Sequence, residues 1–199
     1  MTLPDSGPVI GEDGLARPPW AATDPLLRHY YDTEWGMPVR DERGMFERLC
    51  LEGFQVGLSW RLVLQRRDAL RAAFHGFDPD AVAAMDSVEH LIDDAKLIRN
   101  RRKLEAAVRN ARATVALRDD GTHLGEFVWS YQPADTPAPR TVEEIPTFSP
   151  ESEKLAKDLK ARGFTFVGPV NMYALMESTG IVDTNLIGTW RRGASGVWA

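Results

Sequence analysis

Cysteine is nearly missing from this 199-residue chain: Cys50 stands alone, so no intrachain disulfide can form, as suits a reducing cytoplasm. Histidine is sparse too. His29, His75, His90 and His123 show no paired metal-ligand spacing, so neither a structural metal nor any cofactor is expected. No apolar run nears the ~18 residues of a membrane-crossing helix, and no membrane partner is expected. The opening MTLPDSGPVIGEDG has neither the basic nor the apolar part of a secretory signal. Positive charge is not in excess. With 24 Lys+Arg against 29 Asp+Glu the net charge is -5, which argues against coating nucleic acid by bulk charge but permits a local basic patch. There is no G-x-S-x-G and no glycine-rich phosphate loop, which removes serine hydrolases, P-loop enzymes and dinucleotide enzymes. Alternating strand patterns are almost absent; only Phe164-Thr165-Phe166-Val167 reads as one.

What remains is helix. Asp24-Pro25 and Asp78-Pro79 each pair an N-cap with a first-turn proline. A helix from about Asp41-Glu42 carries Met45, Phe46, Leu49 and Cys50 on one face, and Ser59 caps the next. The spacing of Leu104, Ala107, Val108, Ala111 and Val115 predicts a long helix from about Arg101 to Leu117. Shorter helices are expected after Ser87, over Glu126 to Tyr131, after Ser149-Pro150 and after Pro169, with a Pro/Thr-rich loop from Gln132 to Phe148. The expected fold is all-α: a flexible arm over 1–19, one domain over 20–190 and a tail over 191–199.

Two stretches are equipped for more than packing. In LEGFQVGLSW, Leu51 to Trp60, Glu52 precedes a turn with Gly53, Gly57 and Leu58, and Ser59-Trp60 opens the next helix. Trp20, Tyr30 and Trp35 lie in the same third of the chain. Any one of these aromatics could be plain core, but a box of ring faces with one carboxylate suits a flat cationic ligand. The second stretch, Lys96 to Arg112, holds seven basic residues against Glu105 alone. It is either a solvated face or a helix–turn–helix hairpin whose backbone N–H groups and Ile98, Arg99, Arg101, Arg102 and Lys103 meet DNA phosphates without reading sequence.

These segments carry a resemblance. YDTEWG (Tyr31 to Gly36), LCLEGFQVGLSW (Leu49 to Trp60), DDAKLIRNRRKLEAAVRNA (Asp93 to Ala111), EFVWS (Glu126 to Ser130) and KARGFTFVGP (Lys160 to Pro169) resemble the bacterial DNA-3-methyladenine glycosylase I family, within the helix-hairpin-helix glycosylase superfamily. The resemblance implies a helical fold with its active site in a cleft between lobes. It also implies hydrolysis of the N-glycosidic bond of 3-methyladenine in double-stranded alkylated DNA, by a cytoplasmic monomer. Glu52 matches the family's base-recognising carboxylate, and the already cationic base lets it work ionised. Trp20, Tyr30 and Trp60 match the aromatic pocket, with Trp35 beside it. Gly57 and Leu58 match the turn pushed into the DNA, and the hairpin around Ile98 to Lys103 matches the backbone-binding element.

The sequence also departs from the family. Zinc-binding members join their termini through Cys, His, His and Cys, where this chain has Pro18, Tyr31, Asn185 and Thr189. Packing is expected instead, with Tyr31, Trp190 or Trp198 involved. Leu27 and Phe54 replace polar residues of some members and imply a more apolar pocket. That leaves two alternatives open: a glycosylase for another or bulkier alkylated base, or an inactive relative that binds damaged DNA or free bases.

Overall fold

A computed structural model of the chain describes residues 6–198, and among them ten α-helices and one two-stranded ribbon. The strands β1 (Val9–Ile10) and β2 (Ala16–Arg17) pair antiparallel. The helices follow as α1 (Pro19–Ala22), α2 (Pro25–Thr33), α3 (Glu42–Gln55), α4 (Trp60–Ala73), α5 (Pro79–Ala83), α6 (Glu89–Ile92), α7 (Arg101–Asp119), α8 (Leu124–Trp129), α9 (Pro150–Ala161) and α10 (Pro169–Ser178). Asp24, Ser59, Asp78 and Ser149 cap the helices expected after them, and Asp41 and Asn100 cap α3 and α7; each accepts a backbone N–H of the helix that it starts.

Helix α3 is the axis of the molecule and packs against α4, α7, α8 and α10. Its Met45, Phe46, Leu49, Cys50, Leu51 and Phe54 are all buried, which explains the apolar run toward its C-terminal half. Close approach fixes its start. A side chain at Gly125 of α8 would lie 1.9 Å from the Arg40 carbonyl, just before the Asp41 cap.

Phe164 to Val167 is not a strand. The amide of Asn110, on α7, takes a neighbouring strand's place: its Oδ1 accepts from Thr165 N at 2.8 Å and its Nδ2 donates to Thr165 O at 3.1 Å. With Thr165 paired by that side chain, Phe164 N bonded to Leu159 O and Phe166 O accepting from Asn171, the segment needs no sheet.

Of the arm expected over 1–19, residues 1–5 lie outside the described residues, as does Ala199 of the tail. Residues 6–19 are fastened down. Arg17, 3% exposed, holds Asp13 at 2.7 Å and Asp32 at 2.8 Å. The two ends of the described chain are tied together by hydrogen bonds. Trp190 N donates to Ala16 O at 3.1 Å, and Trp190 Nε1 donates to Asp32 at 3.2 Å. Arg191 donates to the carbonyls of Asp32 and Trp35. The tail is held locally, where Trp198 Nε1 donates to Ile181 O at 3.2 Å.

The four positions that hold zinc in some relatives do not fit a metal here. Tyr31 OH donates to Asn185 Oδ1 at 2.6 Å, Asn185 Nδ2 donates to Asp183 at 2.9 Å, Thr189 Oγ1 donates to Leu186 O at 2.8 Å, and Pro18 offers no side-chain ligand. Tyr31 is fully buried, so Tyr31→Phe leaves the Asn185 oxygen short of its donor at a cost of ~1–3 kcal/mol. The expected result is a melting temperature lower by roughly 3–8 °C, while a chelator leaves wild-type melting unchanged. A chelator-induced drop would contradict the hydrogen-bonded closure.

Candidate active site

Glu52 lies in the last turn of α3, 5% exposed and flanked along the helix by buried core residues. It lines a cavity of about 360 Å³ that α1, α2, the start of α4 and the end of α10 close around it. Trp20, Tyr30, Trp35 and Trp60 all line the same cavity, so the structure brings together the four proposed pocket aromatics. Tyr30 and Trp60 sit with ring centroids 5.4 Å apart. Trp20 meets Trp35 edge-on at 5.6 Å, and Tyr31 backs both from the core. Among the described residues, neither Tyr30 OH nor Trp60 Nε1 has a hydrogen-bond partner, although both atoms are buried. Unmet buried donors cost ~1–3 kcal/mol each, which marks the cavity as shaped for a ligand with acceptors.

Charge around the site is organised in two layers. Behind Tyr30, Glu34 takes Arg48 at 2.9 Å and Arg67 at 2.7 and 2.8 Å, and both guanidiniums lie over the Tyr30 ring. Inside the cavity Glu52 makes no ion pair with any described residue. Burial pushes its carboxyl up to about 8; Glu177 adds to the rise and Arg48 opposes it. In the empty cavity the carboxyl therefore keeps its proton at neutral pH, because Arg48 and the hydrogen bond with Ser178 offset desolvation only in part. A cation in the cavity would restore ionisation.

Sequence reasoning missed Glu177, on α10, which lines the cavity beside Thr184. A signal was available: from Asn171 to Leu186 its only charged companion is Asp183, in a stretch otherwise made for the core. Phe54 was misplaced. It is 1% exposed and packs on Phe74 at 5.9 Å, away from the cavity, while Gln55 takes the lining position. Leu27 does line the cavity.

The Gly57-Leu58 turn follows directly on α3. Gly57 has φ +72 with open space where a Cβ would lie, so glycine serves the backbone conformation there. Leu58 N donates to Gln55 O at 2.7 Å, and Gln55 Nε2 donates back to Leu58 O at 3.2 Å. Gly57 and Leu58 share one surface groove with Ile98, Arg99 and Arg66, so two motifs forty residues apart meet on one face. Arg99 and Arg102 are exposed on that hairpin, and Arg101 is paired with Glu89.

Two residues placed at the DNA by sequence are buried. Ile98, 7% exposed, anchors the hairpin in the core. Lys103, also 7% exposed, turns its ammonium inward and donates to the carbonyls of Phe54, at 2.8 Å, and Val56. It caps the C-terminus of α3, where a cation is favoured, and so holds the start of the Gly57-Leu58 turn from behind.

Known proteins are similar to this chain in sequence and fold. A family model described as methyladenine glycosylase matches residues 20–192. The chain is 46% identical over 174 residues to DNA-3-methyladenine glycosylase 1 of Escherichia coli, covering 85% of this chain and 92% of that protein. It is 41% identical over 175 residues to DNA-3-methyladenine glycosylase of Haemophilus influenzae, covering 85% and 94%. A crystal structure of 3-methyladenine DNA glycosylase I superposes with a TM-score of 0.85 at 42% identity, over 88% of this chain and 99% of that one. The Staphylococcus aureus enzyme, solved to show 3-methyladenine recognition, superposes with a TM-score of 0.81 at 30% identity, over 85% and 93%.

Proposed function

The chain belongs to the methyladenine glycosylase family, and on that premise we propose how its residues divide the work. The protein is a DNA glycosylase that hydrolyses the N-glycosidic bond of 3-methyladenine in alkylated DNA. The observation that carries the residue assignment is the joining of Glu52 to the wedge: a buried carboxyl in an aromatic cavity and, five residues on, a glycine turn in a surface groove.

In this reading the α6–α7 hairpin holds the duplex backbone. The first N–H groups of α7 and the exposed Arg99 and Arg102 meet phosphate, with Arg101 contributing once it leaves Glu89. Leu58 enters the stack where the damaged base has left it, at a flipping cost of a few kcal/mol that damage reduces. The base slides between Tyr30 and Trp60, where stacking contributes about 1–3 kcal/mol per contact, with Trp20 and Trp35 closing the far wall. Its positive charge lowers the cost of ionising Glu52, which then accepts hydrogen bonds from the base. As the sugar–base bond breaks, the bonding electrons go to the base, which leaves neutral. Positive charge passes to the sugar, where Glu52 stabilises it until water adds and loses a proton. No lysine is needed to attack the sugar, so the product is an intact abasic site.

The glycosylase domain takes in 20–190, and the residues on either side close it through the contacts of Arg17, Trp190 and Trp198. A single chain builds the whole cavity, which supports a monomer. No helix of the described residues is long and apolar enough to cross a membrane, and we place the action on DNA in the cytoplasm. Of the two residues that suggested a bulkier substrate, Phe54 no longer bears on the pocket.

Leu58→Ala tests the wedge. Single-turnover excision from methylated duplex should fall about tenfold, with little change on methylated single strands, where no stack must be opened. Equal losses on both would place Leu58 in the pocket wall instead.

A further inference from the structure

Glu177 is a second acid in the pocket. It projects from the last turn of α10 into the same cavity of about 360 Å³ that Glu52 lines from α3. Its carboxylate accepts one hydrogen bond, from Thr184 Oγ1 at 2.6 Å, and among the described residues no Lys, Arg or His pairs with it. The placement is enforced by backbone. Gly36 N donates to Ser178 O at 3.1 Å, and a side chain at Gly180 would lie 2.7 Å from the Gly36 carbonyl. The end of α10 is thereby locked against the Trp35-Gly36 turn that carries one cavity wall.

The neighbouring charges do not neutralise the pair. Arg48, from α3, acts on Glu52 but is held by Glu34; Arg61, at the cavity lining, is held by Asp24. Tyr30 from α2 and Tyr173 from α10, the other titratable groups near the two acids, stay neutral, pushed well up by burial. A pocket that only needed to stack an uncharged purine would have no use for two unpaired carboxyls among aromatic rings, since each raises the cost of burial.

We propose that Glu177 is a specificity-determining residue that, together with Glu52, makes the pocket select cationic purines over neutral ones and couples their capture to loss of a proton. The inference rests on the glycosylase reading above and adds to it a means of separating substrate from product, because the base enters charged and leaves neutral. Burial pushes Glu177 up to about 7 and Glu52 to about 8, so the empty pair retains a proton at neutral pH. A bound cation favours the fully ionised pair and expels it. Linkage then makes cation affinity rise by up to about tenfold per pH unit while the proton is being lost, levelling off above that range.

The probe is 3,9-dimethyladeninium, a permanent cation with a methyl group in place of the sugar, compared with 3-methyladenine at pH 8, where that base is neutral. Binding is read by quenching of tryptophan fluorescence between pH 6 and 8.5. In wild type the cation should bind more tightly as pH rises. Glu177→Gln, which can still accept from Thr184, should weaken the cation about tenfold at pH 8 and reduce its pH dependence to what Glu52 alone contributes, leaving neutral 3-methyladenine nearly unchanged. Equal weakening of both ligands, or an unchanged pH dependence, overturns the inference. Wild type that releases no base from methylated DNA overturns the underlying reading instead, so the two failures are told apart.

Discussion

Glu52→Gln is expected to lower excision of 3-methyladenine from methylated duplex by roughly a hundred- to a thousandfold, the usual loss when one group aimed at developing charge is removed. The same variant is expected to be more stable than wild type at alkaline pH. The Glu52 carboxyl is raised from an ordinary 4.5 to about 8 in the folded protein by burial and by Glu177. Below pH 4.5 it is protonated in both folded and unfolded chains and contributes no difference. Between there and about 8 the unfolded chain ionises while the folded one keeps its proton. The unfolded state then binds fewer protons, and stability falls as pH rises. A glutamine removes that penalty, which is on the order of a few kcal/mol for a shift of this kind. The melting temperature of Glu52→Gln should therefore equal that of wild type near pH 5 and exceed it by several degrees at pH 8.5. A gap that does not change with pH would mean that Glu52 is ionised in the empty cavity.

Lys103→Met should be the most damaging substitution outside the cavity. Methionine fills the buried stem but leaves the carbonyls of Phe54 and Val56 without their donor at the C-terminus of α3. Losing a charged hydrogen-bond donor there costs about 1–3 kcal/mol, or roughly 3–10 °C in melting temperature. The functional loss follows from position, since those carbonyls flank the last turn of α3 and the start of the wedge. A shift of about 1 Å in such a turn can lower a rate by ten- to a hundredfold. Single-turnover excision should fall by that much on duplex and less on single strands, and the salt dependence of DNA binding should stay unchanged. A reduced salt dependence would instead put the Lys103 ammonium on a phosphate.

Lys103 also shows where sequence stops being informative. Its run of basic neighbours, Arg99, Arg101 and Arg102, pointed to phosphate, and for a charge on a helix face that was the better inference. Only the tertiary packing of α7 beside the end of α3 turned one of the four inward. Local signals did better. Asp-Pro and Ser-Pro caps and 3.6-residue periodicity placed most helices within a few residues, because those signals act within one turn of chain. Phe164 to Val167 was misread because its backbone partner is a side chain, Asn110, more than fifty residues away. Glu52, Trp60, Gly57 and Leu58 were legible because one ten-residue stretch carries them all. Glu177 was not, because its meaning depends on facing Glu52 across a cavity that no linear spacing reveals. The closure between the termini was half visible: absent zinc ligands could be read, and Tyr31 and Trp190 were named, but Trp198 bonds only within the C-terminal segment, and the part played by Arg17 and Asp32 needed the fold.

The central claim is that Glu52, within this aromatic cavity, cleaves the bond to 3-methyladenine. Its most direct test is chromatography of the bases released when methylated duplex DNA is incubated with wild type and with Glu52→Gln, alongside a binding measurement for both. Wild type is predicted to release free 3-methyladenine and leave abasic sites in unbroken strands, and the variant to bind the DNA with little release. Wild type that binds methylated DNA yet releases no base, or a variant that releases it at the wild-type rate, would contradict the account.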